Sequence, residues 1–162
     1  MTTPDIRALR DAFGAFATGI TIITATTAEG ASVGFTANSF TSVSLTPPLL
    51  LVCAAHGVSA LPAIRASRAF GVNILAVDQE AISRRFTQRS IDRFAGANWH
   101  HATLGVPLLT GACATFECTV QQDIEAGDHV IFIGHIKGFT ADPAHAPLLY
   151  HRGRYAGLHS SD

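Results

Sequence analysis

Charge is what this sequence has least of. Only 14% of its 162 residues are Asp, Glu, Lys or Arg, and the formal net charge is −1. A near-neutral chain offers no basic face to nucleic acid or to an anionic membrane, and neither is expected as a partner. Cysteine is scarce too. Cys53, Cys113 and Cys118 sit in apolar stretches without CxxC spacing, so they read as buried free thiols rather than disulfides or metal ligands. No run reaches membrane-spanning length, and no basic segment followed by an apolar one opens the chain, which makes a cytoplasmic protein the expectation. GxGxxG, the Walker loop, GxSxG and HExxH are all missing, which removes the common phosphate cradles, the nucleophile elbow and the zincin site. The eight histidines are scattered. His129 and His135 share a strand face but stand roughly 20 Å apart at strand rise, so no metal is expected.

Apolar residues are what the chain has in plenty. At 48% they suffice for one core and a subunit interface, and residues 1–162 read as a single domain. Thr3, Pro4 and Asp5 open a helix, with Thr3 as cap and Ile6, Leu9, Phe13 and Phe16 as its apolar stripe. Ile20 to Thr27 and Ser32 to Ala37 form a hairpin around Ala28-Glu29-Gly30. Pro47-Pro48 interrupts pairing, and Leu49 to Ala55 reads as a strand buried on both faces. A short helix over 60–66, a strand over 69–75 and a helix capped by Asp78 and running to Gln88 follow. Residues 90–101 read as irregular. Two long strands over 113–125 and 129–140 and two short ones around Arg152-Gly153 complete the chain. Many strands with few helices predict a mainly β, closed or nearly closed barrel with helices outside it.

The stretch Gly34 to Leu45 carries no charge, and its strand formers alternate with hydroxyls. One face can join a core while the other shows hydroxyls and an amide. Such a surface suits a flat, neutral, hydrogen-bonding ligand such as a flavin ring, although on pattern alone a plain strand–turn–strand is the simpler reading. Gly127-Asp128-His129 places a histidine after a tight turn, where it could bind a ligand amide or serve as an exposed turn residue. Arg84, Arg85 and Arg89 give one helix a cationic face that could hold phosphate or be merely solvated. Ser59 could add a hydroxyl near them.

Taken in order, several segments resemble the short-chain flavin reductases of two-component monooxygenases. They are Phe13-Gly14-Ala15-Phe16-Ala17-Thr18-Gly19, the segment Gly34 to Ser44 with Pro47-Pro48, and Phe70-Gly71-Val72-Asn73-Ile74-Leu75. Gln79, Arg84-Arg85-Phe86, Gly127-Asp128-His129, and Leu148-Leu149-Tyr150 with Gly153-Arg154-Tyr155 continue the match. The resemblance implies an FMN-binding split β-barrel, a homodimer holding FMN or FAD between subunits, and hydride taken from NADH or NADPH. It also implies release of reduced flavin to a separate oxygenase. By the same resemblance Thr36, Ala37, Asn38, Ser39, Ser42, Val43 and Ser44 line the flavin ring and ribityl chain. Ser59 and Arg85 are the choices for the phosphate end. Gly127 and Asp128 belong with His129 near the nicotinamide, where His129 is the catalytic candidate, and His151, Arg152 and Tyr155 close over the dinucleotide. Rival readings are a flavin carrier or redox sensor without turnover, or a barrel relative that binds haem or a pyridoxal-type phosphate.

Overall fold

The computed structural model describes residues 5–158, and Thr3, Pro4 and His159 lie outside that range. Asp5 caps the first helix, α1 (Ile6–Gly14), with its carboxylate accepting from the Arg7 N–H at 2.9 Å. Helix α1 buries no residue against this chain. Of its expected stripe, Ile6, Leu9 and Phe13 lie on the helix and Phe16 lies past its end, and all four side chains are 42% to 78% exposed.

The barrel is one antiparallel sheet of seven strands. In chain order they are β2 (Thr21–Thr26), β3 (Ser32–Ala37), β4 (Thr41–Leu45), β5 (Pro48–Ala55), β6 (Ala69–Ile74), β9 (Ala114–Ala126) and β10 (His129–Ala141). Their spatial order is β3-β2-β6-β9-β10-β5-β4. The sheet closes through a side chain. Ser39, just past β3, accepts from the Cys53 N–H at 2.9 Å and donates to the Cys53 carbonyl at 3.3 Å, which ties the end of β3 to β5. Inside lie Ile23, Leu50, Val52, Phe70, Val72, Val130 and Phe132, all essentially without exposure.

The β5 strand departs from the expectation. It alternates, with Leu50, Val52 and Ala54 inward and Leu49, Leu51, Cys53 and Ala55 only half-buried. Its apolar run is continuous, but this chain supplies a cover to one face alone. The prolines also act differently. Pro48 begins β5 and pairs with Leu45, so Thr46-Pro47 is the turn of a hairpin. Of the thiols, Cys118 is buried, and burial pushes it up to about 12, while Cys53 and Cys113 are part-exposed.

Outside the barrel sit α2 (Leu61–Ser67) and α3 (Glu80–Phe86). A 3₁₀ turn over Val77–Gln79 takes Asp78 before α3 begins, and the helix stops at Phe86 rather than Gln88. Three short pairings complete the molecule. The strands β7 (Trp99–His101) and β8 (Pro107–Leu109) form a hairpin in part of the segment expected to be irregular. The strands β11 (Leu149–His151) and β12 (Arg154–Ala156) form another, and β1 (Thr18–Gly19) adds to its edge. No described helix is long and apolar enough to cross a membrane.

Candidate active site

The site is built around the last residues of β3. Gly34 lets β3 run close to its neighbours, since a Cβ there would stand 2.6 Å from the Ile23 carbonyl and 2.9 Å from the Phe86 ring. Phe35 and Ala37 point into the barrel, so Thr36 and Asn38 face out. The Thr36 hydroxyl donates to the Ser83 carbonyl at 2.8 Å, fixing α3 against the strand.

Three cavities meet along this segment. One of 160 Å³ is lined by Thr36, Ala37, Asn38, Ser39, Cys53 and His129 among others. A second of 170 Å³ shares Thr36, Ala37 and Asn38 and adds Tyr150 and Tyr155. A third of 390 Å³ shares Thr36 and leads to Ser59, Thr87, Arg89 and Arg93. The first two have no Asp, Glu, Lys or Arg in their walls, and the third ends in two guanidinium groups. A neutral slot continuous with a cationic end fits a flat neutral ring that carries a phosphate.

His129 is the first residue of β10 and sits opposite Ala55 of β5. Gly127, at φ +64°, makes the two-residue turn that puts it there. The turn is pinned from β5's end, because the His56 N–H donates to the Asp128 carbonyl at 3.1 Å. Asp128 does not line the cavity. Its carboxylate sits 2.7 Å from His129 Nδ1, and that hydrogen bond holds it below the usual aspartate range.

On the opposite wall the Tyr155 hydroxyl is 2.8 Å from Ser83 Oγ, and its ring packs on Tyr150 at 5.3 Å. The Arg84 guanidinium lies over the Tyr155 ring at 4.7 Å.

Thr36, Ala37, Asn38, Ser39, Ser59, His129 and Tyr155 are thus brought together, with Arg152 bordering an adjoining cavity beyond Asn38. Other expected residues lie elsewhere. Ser42, Val43 and Ser44 occupy β4, an exposed edge strand, and line none of these cavities. His151 is exposed on β11. Arg85 is turned away, with Nη1 donating to the Asp92 carbonyl at 3.2 Å. The cavity beside Ser59 is lined by Arg89 and Arg93 instead. Arg93 is anchored on the Gly34 carbonyl at 3.0 Å and on Ser59 Oγ at 3.5 Å. Arg93, Thr87, Tyr150 and Cys53 were not among the expected site residues. Of these Tyr150 stands in the Leu148-Leu149-Tyr150 segment of the resemblance, and Arg93 carried a signal in the four-residue spacing of Arg85, Arg89 and Arg93.

The flavin reductase like domain model matches residues 13–159. The chain is 47% identical over 151 residues to the stachydrine N-demethylase reductase subunit of Rhizobium meliloti, covering 93% of this chain and 65% of that protein. It is 46% identical over 150 residues to the reductase component of the flavin-dependent trigonelline monooxygenase of Acinetobacter baylyi, covering 93% of this chain and 48% of that one. The chain therefore spans about half to two thirds of the length of these relatives. Its fold superposes with a TM-score of 0.91 on the NADH:FAD oxidoreductase of Streptomyces globisporus C-1027 in complex with NAD and FAD fragments. There the identity is 37%, and the match covers 98% of this chain and 96% of that one.

Proposed function

The chain belongs to the flavin reductase like domain family, and on that premise we propose that it reduces FMN or FAD at the expense of NADH or NADPH and passes the reduced flavin to a separate flavin-dependent oxygenase. The observation that carries this reading is the neutral slot at Thr36–Ser39 running into the Arg89 and Arg93 end. A flavin held there would supply the acceptor for the hydride of reduced nicotinamide. The protein's share of that chemistry is binding, orientation and exclusion of water.

In this reading Thr36, Ala37, Asn38 and Ser39 form the wall against the ring. Ser39 Oγ is engaged on both backbone groups of Cys53, so it holds the wall in place. Ser59, Arg89 and Arg93 hold the phosphate, and Arg85 braces the loop that carries them through Asp92. His129 orients the nicotinamide carboxamide, with Gly127 and Asp128 fixing where its ring sits. Tyr155, Arg152 and His151 close the nicotinamide side.

We further propose a homodimer. The outward face of β5 and β10 carries Leu49, Leu51, Ile131 and Ile133, all half-buried, with Ile124 of β9 beside them. A flat apolar face of this kind matches the core of a subunit interface. It continues to the uncovered β4, where Ser42, Val43 and Ser44 would then meet the flavin of a shared site. Three cysteines without a disulfide favour a reducing compartment, the cytoplasm.

The test is to follow the nicotinamide absorbance band while purified protein is mixed with each coenzyme and each flavin. Steady oxidation that depends on added flavin is expected. A flavin-loaded protein that turns over neither coenzyme would make it a carrier.

A further inference from the structure

His56 follows β5 directly and lines none of the cavities around Thr36, yet its contacts converge on the turn that carries His129. Its N–H donates to the Asp128 carbonyl. Its imidazole Nε2 lies 3.3 Å from the Gly127 carbonyl and 3.4 Å from the Glu125 carboxylate. Both partners only accept, so Nε2 carries the proton and donates. The Gly127 carbonyl and the Asp128 N–H share one peptide plane. Gly127 has no Cβ to restrain that plane, which makes it the softest joint of the turn. A donor on the carbonyl fixes the plane, and with it the place from which the Asp128 carboxylate meets His129 Nδ1.

The turn needs such a brace. Beyond Val120 the β9 arm has left the core, and none of residues 121–126 is buried. A register shift beside Gly134 leaves Gln121 without a partner in β10, so the arm twists as it leaves the barrel. Polar contacts take over from packing there. Arg68, just past α2, donates from Nη1 to Asp123 at 2.9 Å, and Arg65 of α2 reaches both Asp123 and Glu125. Glu125 is shared, one oxygen on Arg65 and the other on His56. A chain of contacts thus runs from α2 through Glu125 and His56 to the Gly127 peptide. On its other side His56 opens the loop whose Gly57, Val58 and Ser59 line the phosphate cavity, and Val58 borders the ring cavity as well.

Resting on the flavin reductase reading, we infer that His56 is a positioning residue for the nicotinamide step. Its imidazole sets the Gly127-Asp128 peptide, and through Asp128 the ring of His129, while tying both to the loop at the phosphate end. The role is hydrogen bonding rather than charge, because neutral imidazole and imidazolium both donate from Nε2. Glutamine, with its amide donor at a similar reach, can fill it. The bond from the His56 N–H to Asp128 belongs to the backbone and survives any side chain here, so the hairpin persists without the imidazole.

His56→Ala and His56→Gln are made alone and together with His129→Ala. His56→Ala is expected to lower kcat/KM for NADH about tenfold, the scale on which a displaced orienting group costs. Flavin KM and the urea midpoint should stay close to wild type, since the imidazole is 46% exposed. His56→Gln should recover most of the loss, and in the His129→Ala background neither change should cost anything further. Independently of turnover, proton–nitrogen correlation spectra of the imidazoles should show the His129 resonances displaced in His56→Ala and restored in His56→Gln. An equal loss in both His56 variants, a loss that adds to that of His129→Ala, or a flavin KM that rises with the NADH KM overturns the assignment. So do His129 resonances that stay in place in His56→Ala. A wild type that oxidises neither NADH nor NADPH with flavin present defeats the reductase reading instead, and the spectra then still decide whether His56 holds His129.

Discussion

His129 Nδ1 lies 2.7 Å from the Asp128 carboxylate, and this contact decides which ring nitrogen serves the cavity. An ionised carboxylate accepts, so Nδ1 carries the proton, and in the neutral imidazole Nε2 is then the acceptor. A nicotinamide carboxamide offers an N–H donor that this nitrogen can take. The Asp128 carboxyl is held below its ordinary value of 3.8, chiefly by that same hydrogen bond. For a depressed carboxylate the contact is complete above the ordinary value and is lost as pH falls through the folded one. The orientation of His129 therefore holds through the whole neutral range.

His129→Ala is expected to lower kcat/KM for the nicotinamide donor by about ten- to a hundredfold, the range for lost orientation rather than lost proton transfer. Flavin KM should barely change, and His129→Asn should recover part of the loss. Asp128→Ala should give about a tenfold loss alone and none in the His129→Ala background. Steady-state kinetics on the four proteins decide. Additive losses would mean that Asp128 shapes only the turn.

Arg89→Ala should raise flavin KM with kcat at saturation largely kept, because a phosphate contact acts alike on ground and transition states. A charge-assisted bond of about 1.5–3 kcal/mol corresponds to roughly a ten- to hundredfold change. Arg85→Ala should do much less, since its guanidinium is engaged on the Asp92 carbonyl. A larger flavin KM effect at Arg85 than at Arg89 would reverse this assignment.

Arg85 was the choice for the phosphate end, whereas Arg89 and Arg93 are the arginines that line the cavity beside Ser59. Four-residue spacing means one face only while a helix lasts, and α3 ends at Phe86. Beyond it, loop hydrogen bonds place the arginines, and those depend on distant Gly34 and Ser59. The β3 hairpin and the Gly127-Asp128 turn were legible because alternation and turn chemistry are local. The role of Ser39 was not, as its partner Cys53 is fourteen residues away on another strand. The even apolarity of β5 read as a strand buried on both faces, but within this chain it alternates and only Leu50, Val52 and Ala54 are covered.

That uncovered face gives a third expectation. The protein should sediment as a dimer at micromolar concentration, and Ile133→Asp, in the middle of the outward β10 row opposite Leu51, should yield monomer. A monomeric wild type under these conditions would remove the shared flavin site and with it the role proposed for Ser42, Val43 and Ser44.

The last expectation concerns Asn73, fully buried in β6. Its Nδ2 donates to the Ile22 carbonyl of β2 at 3.0 Å, and its Oδ1 accepts from the Leu109 N–H of β8 at 2.7 Å. One amide thus satisfies two backbone groups on two elements, and β2 in turn carries β3 and the site wall. Asn73→Ala strands both groups in the interior. At about 1–3 kcal/mol for each unsatisfied partner, the loss should be roughly 2–6 kcal/mol, read as a lowered midpoint in urea. Asn73→Asp separates hydrogen bonding from shape. An ionised carboxylate can still accept from Leu109 but cannot donate to Ile22, and burial raises its pKa. The variant should therefore be least stable near neutrality and recover as pH falls through that raised pKa, because the protonated acid regains a donor. Urea titrations of wild type and variant at neutral and at mildly acidic pH measure the difference. A gap between them that stays constant with pH would mean that the amide fills space at this position and does not bridge the two strands.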